Sequence, residues 1–376
     1  MTIIAYLNVG GAHSLIGDLL ISGKGDQGPT ASVNLPASRD VNSRFSFPKD
    51  SFAVGLQQKV VVLNASLAIA WSGSFLQAQG FFEDLEPLRA ITRVDPTFLQ
   101  SILDNIERER IDDLSIIAMV AHDGQCSLVT HRVDPPTDYG VAENVVCSGS
   151  GSNTFRELIS QHAANLEVLF PNLSKEEQGA NFDLNLVGSM QSEEFSSPSG
   201  ILAGWGGGFE VARLSDGRIS KIDNIFSLHF YVREGVTGEL DLYWLPDFRH
   251  TSYWNDITVV QAMEHPVNES GLMLPGRRDV FVTGPPGKPN PDMSGFILPD
   301  YHQQSVIMAS IEFPATFDVI TAPSFGDEPA IRFDAPIGSD RVHVSFDINF
   351  LAQLIAISHQ KWGKPTHFRG VTPRPG

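Results

Sequence analysis

The sequence predicts an α+β protein in which sheets are layered against helices, and three observations lead there. Short apolar, β-branched runs are paired across glycine or asparagine turns, amphipathic helical stretches follow them in twos, and over the first 225 residues the order is strands, two helices, strands, two helices, strands. Helices that alternate with sheets in this order have to bury their apolar stripes on sheet faces, which makes a layered sandwich.

Two apolar runs open the chain, residues 1–7 and 14–23, either side of Asn8-Val9-Gly10-Gly11, where glycine reaches the positive φ of a tight turn. Residues 24–51 are rich in Gly, Pro, Ser, Asn and charge without any periodicity, which reads as a long loop of the kind that borders sites. Residues 59–74 hold two apolar runs hinged at Asn64, a second hairpin buried on both faces. Phe75, Leu76, Phe81, Phe82, Leu85 and Leu88 lie at near-helical spacing over 75–89, and Phe98, Leu99, Ile102, Leu103 and Ile106 repeat the pattern over 96–109. Runs at 114–120 and 127–133 flank the Asp123-Gly124 turn, and the run from Val145 leads into Cys147-Ser148-Gly149-Ser150-Gly151-Ser152. A helix from Thr154 to about Phe170 stops before Pro171, and 174–192 reads as another, with Gly179 and Asn181 against it. Glycines at 204 and 206–208 break the chain before a hairpin of 209–214 with 218–222, turned at Asp216-Gly217.

Beyond residue 225 the texture changes. Residues 226–233 and 239–245 read as strands, and 265–303 is broken by proline and glycine into a linker or loop-rich extension. Strands return at 305–313, 330–333 and 341–346, a helix covers 349–362, and 363–376 reads as a mobile, locally basic tail. The expected organisation is therefore a domain over 1–225, a β-rich extension over 226–362, and the tail.

With 376 residues and 42% apolar content the chain is long enough for one large core or two smaller ones. A net charge of -18 argues against nucleic acid and anionic membranes as partners, since the whole-protein field repels both. Cys126 and Cys147 are the only cysteines, which argues against a disulfide framework and fits a reducing, cytoplasmic compartment. No signal-like segment and no apolar stretch near the ~20 residues of a membrane helix occurs. His250, His265 and His302 lack partners at ligand spacing, and Gly284-Pro285-Pro286-Gly287-Lys288 lacks the strand and the Ser or Thr of a phosphate loop, so neither metal nor cofactor is expected. Trp244, Phe248, Tyr253 and Trp254 read as a satellite core or a ligand groove.

The chemistry is expected at the start of the chain. Thr2 has a small side chain, so removal of the initiator Met would leave a free α-amine beside its own hydroxyl, a nucleophile and a base in one residue. Asp18 lies sixteen residues on, and Lys59 lies fourteen before Gly73 in Trp71-Ser72-Gly73-Ser74. With the Ser148–Ser152 run, these spacings make the first 225 residues, about 60% of the chain, resemble the proteasome β-subunit family of N-terminal nucleophile hydrolases.

The resemblance implies a four-layer αββα sandwich and an amide hydrolase, peptidase or amidohydrolase, that forms rings or other homo-oligomers and takes a peptide or small amide substrate. It implies Thr2 as nucleophile, Asp18 and Lys59 as the charges around it, Gly73 as the oxyanion donor and Ser150 beside the amine. Lys24 and Lys49 are alternative candidates for the lysine, because the 24–51 loop is an insertion relative to a compact family member. The family's Asp-x-x-Ser-Gly-Gly turn is replaced by Ala203-Gly204-Trp205-Gly206-Gly207-Gly208, with Glu193, Glu194, Ser196 and Ser197 as nearby substitutes. Each residue also has a purely structural role open to it: Asp18 as a strand-end cap, Lys59 as an edge charge, Gly73 as a turn. The alternative is a catalytically inactive member of the fold that serves binding or assembly, with residues 226–376 carrying the interaction.

Overall fold

Strand β1 (Ile4–Val9) turns at Gly10 and Gly11, both at positive φ, into β2 (Ala12–Asp18), and the two pair antiparallel from Ile4↔Gly17 to Val9↔Ala12. The computed structural model describes every residue except 1, 25–32, 37, 39–40, 48–50, 107–109, 170–172, 197–198, 268–272, 275, 289–305, 314–317, 326–329, 335–342 and 373–376. The chain divides into two units: Met1–Ile222 with Tyr253–Thr258 and Val282–Met293, and Asp223–Ser252 with Val259–Phe281 and Ser294–Gly376. Both carry helices and largely antiparallel sheets, and the fold class is α+β.

In the first unit the apolar run 14–23 is two strands rather than one. The amides of Leu19 and Leu20 donate to the Gly206 carbonyl at 3.2 and 2.9 Å, which interrupts the ladder, and β3 (Leu20–Lys24) leaves to pair with β4 (Ser51–Leu56). Within the expected 24–51 loop a one-turn helix, α1 (Val41–Arg44), is formed; most of the remaining loop lies outside the described residues, Lys49 included.

The four-stranded sheet β5 (Val60–Asn64), β6 (Leu67–Gly73), β7 (Leu114–His122), β8 (Gln125–His131) runs in sequence order. Strands β5 to β7 are largely apolar on both faces because alternate side chains enter different cores, while the edge strand β8 is more polar. Val61, Leu63, Leu67, Ile69 and Trp71 pack with Phe81, Phe82 and Leu85 of α2 (Phe75–Leu85) and with Leu99 and Leu103 of α3 (Pro96–Asn105). Both helices are shorter than their apolar patterns: α2 gives way to a 3-10 turn over Glu86–Ala90 that holds Pro87, and α3 stops at Asn105.

From the opposite face of the same sheet, Val60, Ala68, Ala70, Ile117 and Met119 pack with Ile4, Tyr6, Leu15, Val146, Ala212 and Ile219. These partners belong to a six-stranded sheet that adds β9 (Thr137–Tyr139), β10 (Ala142–Ser148), β11 (Phe209–Ser215) and β12 (Arg218–Lys221) in the order β12-β11-β2-β1-β10-β9. At roughly 2 kcal/mol for each large apolar side chain withdrawn from water, these cores outweigh the exposed ion pairs, each worth at most about 1 kcal/mol.

Helices α4 (Ser152–Leu169) and α5 (Lys175–Ser196) follow, then one turn, α6 (Ser199–Leu202). Gly179 does not break α5. A Cβ there would lie 2.5 Å from the Cβ of Ala12, so the glycine is what allows the helix to approach β2.

The second unit is built on β13 (Ile225–Glu234), β14 (Leu240–Trp254), β15 (Ile257–Glu264), β16 (Arg277–Thr283), β17 (Val306–Phe313) and β18 (Asp318–Phe325), ordered β16-β15-β14-β13-β17-β18. A separate pair, β19 (Ile331–Asp334) with β20 (His343–Phe346), precedes α7 (Ile348–Trp362), whose Phe350 and Leu354 close a core with Phe226, Phe230, Trp244 and Phe248. Trp244 and Phe248 are thus core residues. Two expectations are corrected: β16 lies in the supposed linker, and β21 (Thr366–Val371) lies in the supposed tail, paired in parallel with Leu240–Trp244 of β14. Composition hid both, since strand pairing satisfies backbone groups whatever the polarity of the side chains. Among the described residues no helix is long and apolar enough to cross a membrane.

Candidate active site

Where β1 and β2 stop pairing, three residues of the sequence reading meet. The Asp18 amide donates to the Ile3 carbonyl at 3.1 Å, which continues the ladder one step beyond Ile4↔Gly17 and sets the Asp18 carboxylate beside the start of β1. Its Oδ1 accepts the Thr2 hydroxyl and, at 3.0 Å, the Ile3 amide. Its Oδ2 accepts the Gly206 amide at 2.9 Å. Asp18, expected as one of the charges around Thr2, thus orients the Thr2 hydroxyl.

Lys59 precedes β5, and its approach to Asp18 depends on Gly17. A Cβ at Gly17 would lie 2.9 Å from Val60 Cγ2 and 3.0 Å from Lys59 Cβ, so a side chain there would push the lysine off β2. The Lys59 ammonium lies 4.1 Å from the centre of the Trp71 ring, and the Trp71 indole donates to the Gln58 carbonyl at 2.8 Å.

Thr2, Asp18 and Lys59 are 1%, 0% and 2% exposed, so desolvation dominates their electrostatics. Burial raises Asp18 to about 6 despite the charge of Lys59 and three hydrogen bonds that oppose the rise. Burial likewise lowers Lys59 to about 8 against the charges of Asp18 and Glu210. Between those values carboxylate and ammonium are both charged, each supporting the other.

The Ser148–Ser152 loop encloses the start of β1. At Gly149, φ +101°, a Cβ would sit 2.0 Å from the Thr2 carbonyl oxygen, and at Gly151 one would sit 2.3 Å from Ile3 Cγ1. The Gly151 amide donates to the Thr2 carbonyl at 3.3 Å. Only glycine lets the loop pass this close, which is why small residues recur there.

Ser150 itself is exposed, and its hydroxyl donates to the Ala203 carbonyl at 2.9 Å rather than to Thr2. Gly73 has φ +110°, and a Cβ would lie 1.8 Å from the Asp113 carbonyl oxygen, so its conformation serves the join of β6 to β7. No described contact brings Gly73 or Ser150 to the Thr2 hydroxyl. Lys24 is not brought there by any described contact either, and Lys49 lies outside the described residues.

Glu194, one of the nearby substitutes named from the sequence, and Glu210, which was outside the expected set, complete the surroundings. Glu194 accepts the Gly207 amide at 2.7 Å and so braces the glycine turn that donates to Asp18; Glu193 instead accepts the Ser199 hydroxyl at 2.7 Å. Ser197 lies outside the described residues. Glu210, on β11 opposite Gly17, is wholly buried and accepts the Lys59 and Val60 amides at 3.0 and 3.2 Å. Its signal in the sequence was a carboxylate inside the apolar strand Phe209-Glu210-Val211-Ala212.

Among the described residues no three His, Cys, Asp or Glu side chains gather as a metal site, and His302 lies outside them. No protein-family model matches this sequence, and no curated protein matches it.

Proposed function

We propose that the chain is a threonine-type amide hydrolase with the first unit as a proteasome β-subunit-like, four-layer αββα N-terminal nucleophile domain. The reading is carried by the convergence of the Thr2 hydroxyl on the buried Asp18 carboxylate under the charge of Lys59. Two sheets sharing a core, with α2 and α3 packed on one of them and α4 and α5 adjoining the other, support the architecture.

The reaction requires that Met1 be removed. The Thr2 oxygen then attacks the substrate carbonyl carbon while its proton passes to the freed α-amine, directly or through one water. The tetrahedral intermediate collapses by breaking the carbon–nitrogen bond, the departing amine takes that proton, and water hydrolyses the Thr2 ester to release the acid and restore the hydroxyl. Asp18 orients the oxygen, and the Lys59 charge favours the neutral amine and the developing oxyanion. Gly73 and Ser150 stay in the proposal as oxyanion donor and amine neighbour.

Intact mass gives the first test. Loss of Met1, labelling of Thr2 by an N-terminal-threonine-directed electrophile, and loss of both labelling and amide hydrolysis in Thr2→Ala are expected. Retained Met1 sinks the enzymatic reading. The near-complete burial of Thr2 favours a second reading, an inactive member of this fold used for binding or assembly. A peptide panel set against small amides separates a peptidase from an amidohydrolase.

A further inference from the structure

Glu210 faces two sets of donors with its two carboxylate oxygens. Oε2 accepts the amides of Lys59 and Val60, as described above. Oε1 accepts the Lys221 ammonium and the Thr258 hydroxyl, each at 2.6 Å. A buried carboxylate offers about four lone-pair sites, and here each has a donor, so the group cannot move without stranding buried amides or an ammonium.

Thr258 is on β15, in the segment 253–258 that spans the end of β14 and the start of β15 and, though late in the sequence, is part of the first unit. Tyr253 of the same segment places its ring centre 4.6 Å from the Lys221 ammonium. A second strap reaches the residues just before the lysine. Gln58 Nε2 donates to the carbonyls of Asp256 and Thr283 at 2.7 and 3.1 Å, and the Thr283 hydroxyl donates to the Leu56 carbonyl at 3.3 Å. The segment that carries Lys59 into the site, residues 56–60, is therefore clasped by 253–258 and 283.

We infer that Glu210 is the positioning residue for Lys59, and that the late segments 253–258 and 283 act through Glu210 and Gln58 to hold the lysine in its place beside the Trp71 ring. The inference rests on the reading of Lys59 as part of the proposed hydrolytic site. It also gives those late segments, which the resemblance leaves unexplained, a task in that site. The groups that bear on the Lys59 charge are Asp18 from β2, Glu210 from β11 and the Trp71 ring from β6; Glu210 is in turn hydrogen-bonded to Lys221 from β12, on which the charge of Asp256 also acts.

The test uses the full chain with isotope-labelled lysine, the Lys59 signal being assigned by its loss in Lys59→Arg. In Glu210→Gln the carboxylate charge that supports the ammonium is gone, so the Lys59 titration midpoint is expected to fall by about one unit. Glu210→Asp keeps the charge and is expected to recover most of that fall. Where hydrolysis is measurable, its alkaline limb moves down with the titration, which a residue serving only the fold would not cause.

A folded Glu210→Gln protein whose Lys59 titrates as in wild type overturns the inference. Should that variant fail to fold, Thr258→Val serves instead. Hydrogen exchange at the Lys59 and Val60 amides is then expected to speed up roughly tenfold while that of Ile117 in β7 does not change, and unchanged exchange at residues 59 and 60 overturns the inference. The two readings fail separately. A moved titration in a protein without hydrolysis removes the hydrolase and keeps the positioning role, whereas hydrolysis with an unmoved titration does the reverse.

Discussion

The Lys59 ammonium sits 4.1 Å from the centre of the Trp71 ring, deep in the first unit. A buried lysine needs compensation, and the π face of an indole supplies part of it without fixing a proton in a hydrogen bond. The same indole donates to the Gln58 carbonyl, so Trp71 steadies both the charge and the backbone that carries it.

Replacing Trp71 by Phe keeps a ring but loses the indole N–H and some volume. A loss of roughly 2 kcal/mol is expected in urea unfolding. The Lys59 midpoint should also move below about 8, because the weaker quadrupole of phenylalanine supports the charge less. An unchanged midpoint would show that the ring contact carries no electrostatic weight.

Stability should fall as pH rises through the range of Asp18. Burial holds its pKa at about 6 in the folded protein, well above the ordinary carboxylate value near 3.9. The folded state keeps a proton that the unfolded chain has already released, so the contribution is full below the unfolded value and is lost as pH climbs through the folded one, by roughly 3 kcal/mol in all. Asp18→Asn removes that slope, and unfolding midpoints of wild type and variant compared from about pH 4 to pH 7 should show it; parallel curves would falsify the assignment.

Lys59 acts with the same physics at the other end of the scale. With its pKa held at about 8, the folded state gives up a proton that the unfolded chain retains, so its contribution to stability rises as pH passes from there towards the ordinary lysine value. Lys59→Met should flatten that rise in denaturation curves taken across the alkaline range.

Gly149→Ala tests the enclosure of Thr2. The new methyl would sit 2.0 Å from the Thr2 carbonyl oxygen at a φ of +101°, so the loop or the start of β1 has to move. A stability loss of about 2–4 kcal/mol together with loss of Thr2 labelling is expected, and normal labelling in the variant would mean that the loop does not position Thr2.

A second buried carboxylate offers a control away from the site. Asp183 on α5 accepts the Ser14 hydroxyl at 2.8 Å and lies 3.4 Å from the Arg213 guanidinium. Arg213→Met strands the charge and should cost about 3 kcal/mol. Adding Asp183→Asn to it should recover most of that loss in thermal or urea unfolding, without changing hydrolysis.

Much of the first unit was legible in the order of its residues, because its signals are local. The β1–β2 and β7–β8 hairpins show their turns in glycine positions, and β5 and β6 show burial on both faces in unbroken apolar runs. What stayed hidden depends on a distant partner. The break at Leu19 is made by Gly206, the need for Gly179 by Ala12, and the pairing of β21 by β14, none of which leaves a pattern in the neighbouring sequence.

The candidate site divides along the same line. Residue type pointed to Thr2, a nucleophile beside its own amine once Met1 is removed, and the resemblance to the proteasome β-subunit family added Asp18 and Lys59 at matching spacings. Only the tertiary structure decided that Asp18 takes the Thr2 hydroxyl, that Ser150 turns to Ala203, and that Glu210 and Thr258 secure the lysine from 48 residues apart. Hydrogen bonds between buried side chains are chosen by whichever donors the folded backbone brings within about 3 Å, and that proximity is a property of the packed chain, not of its local order.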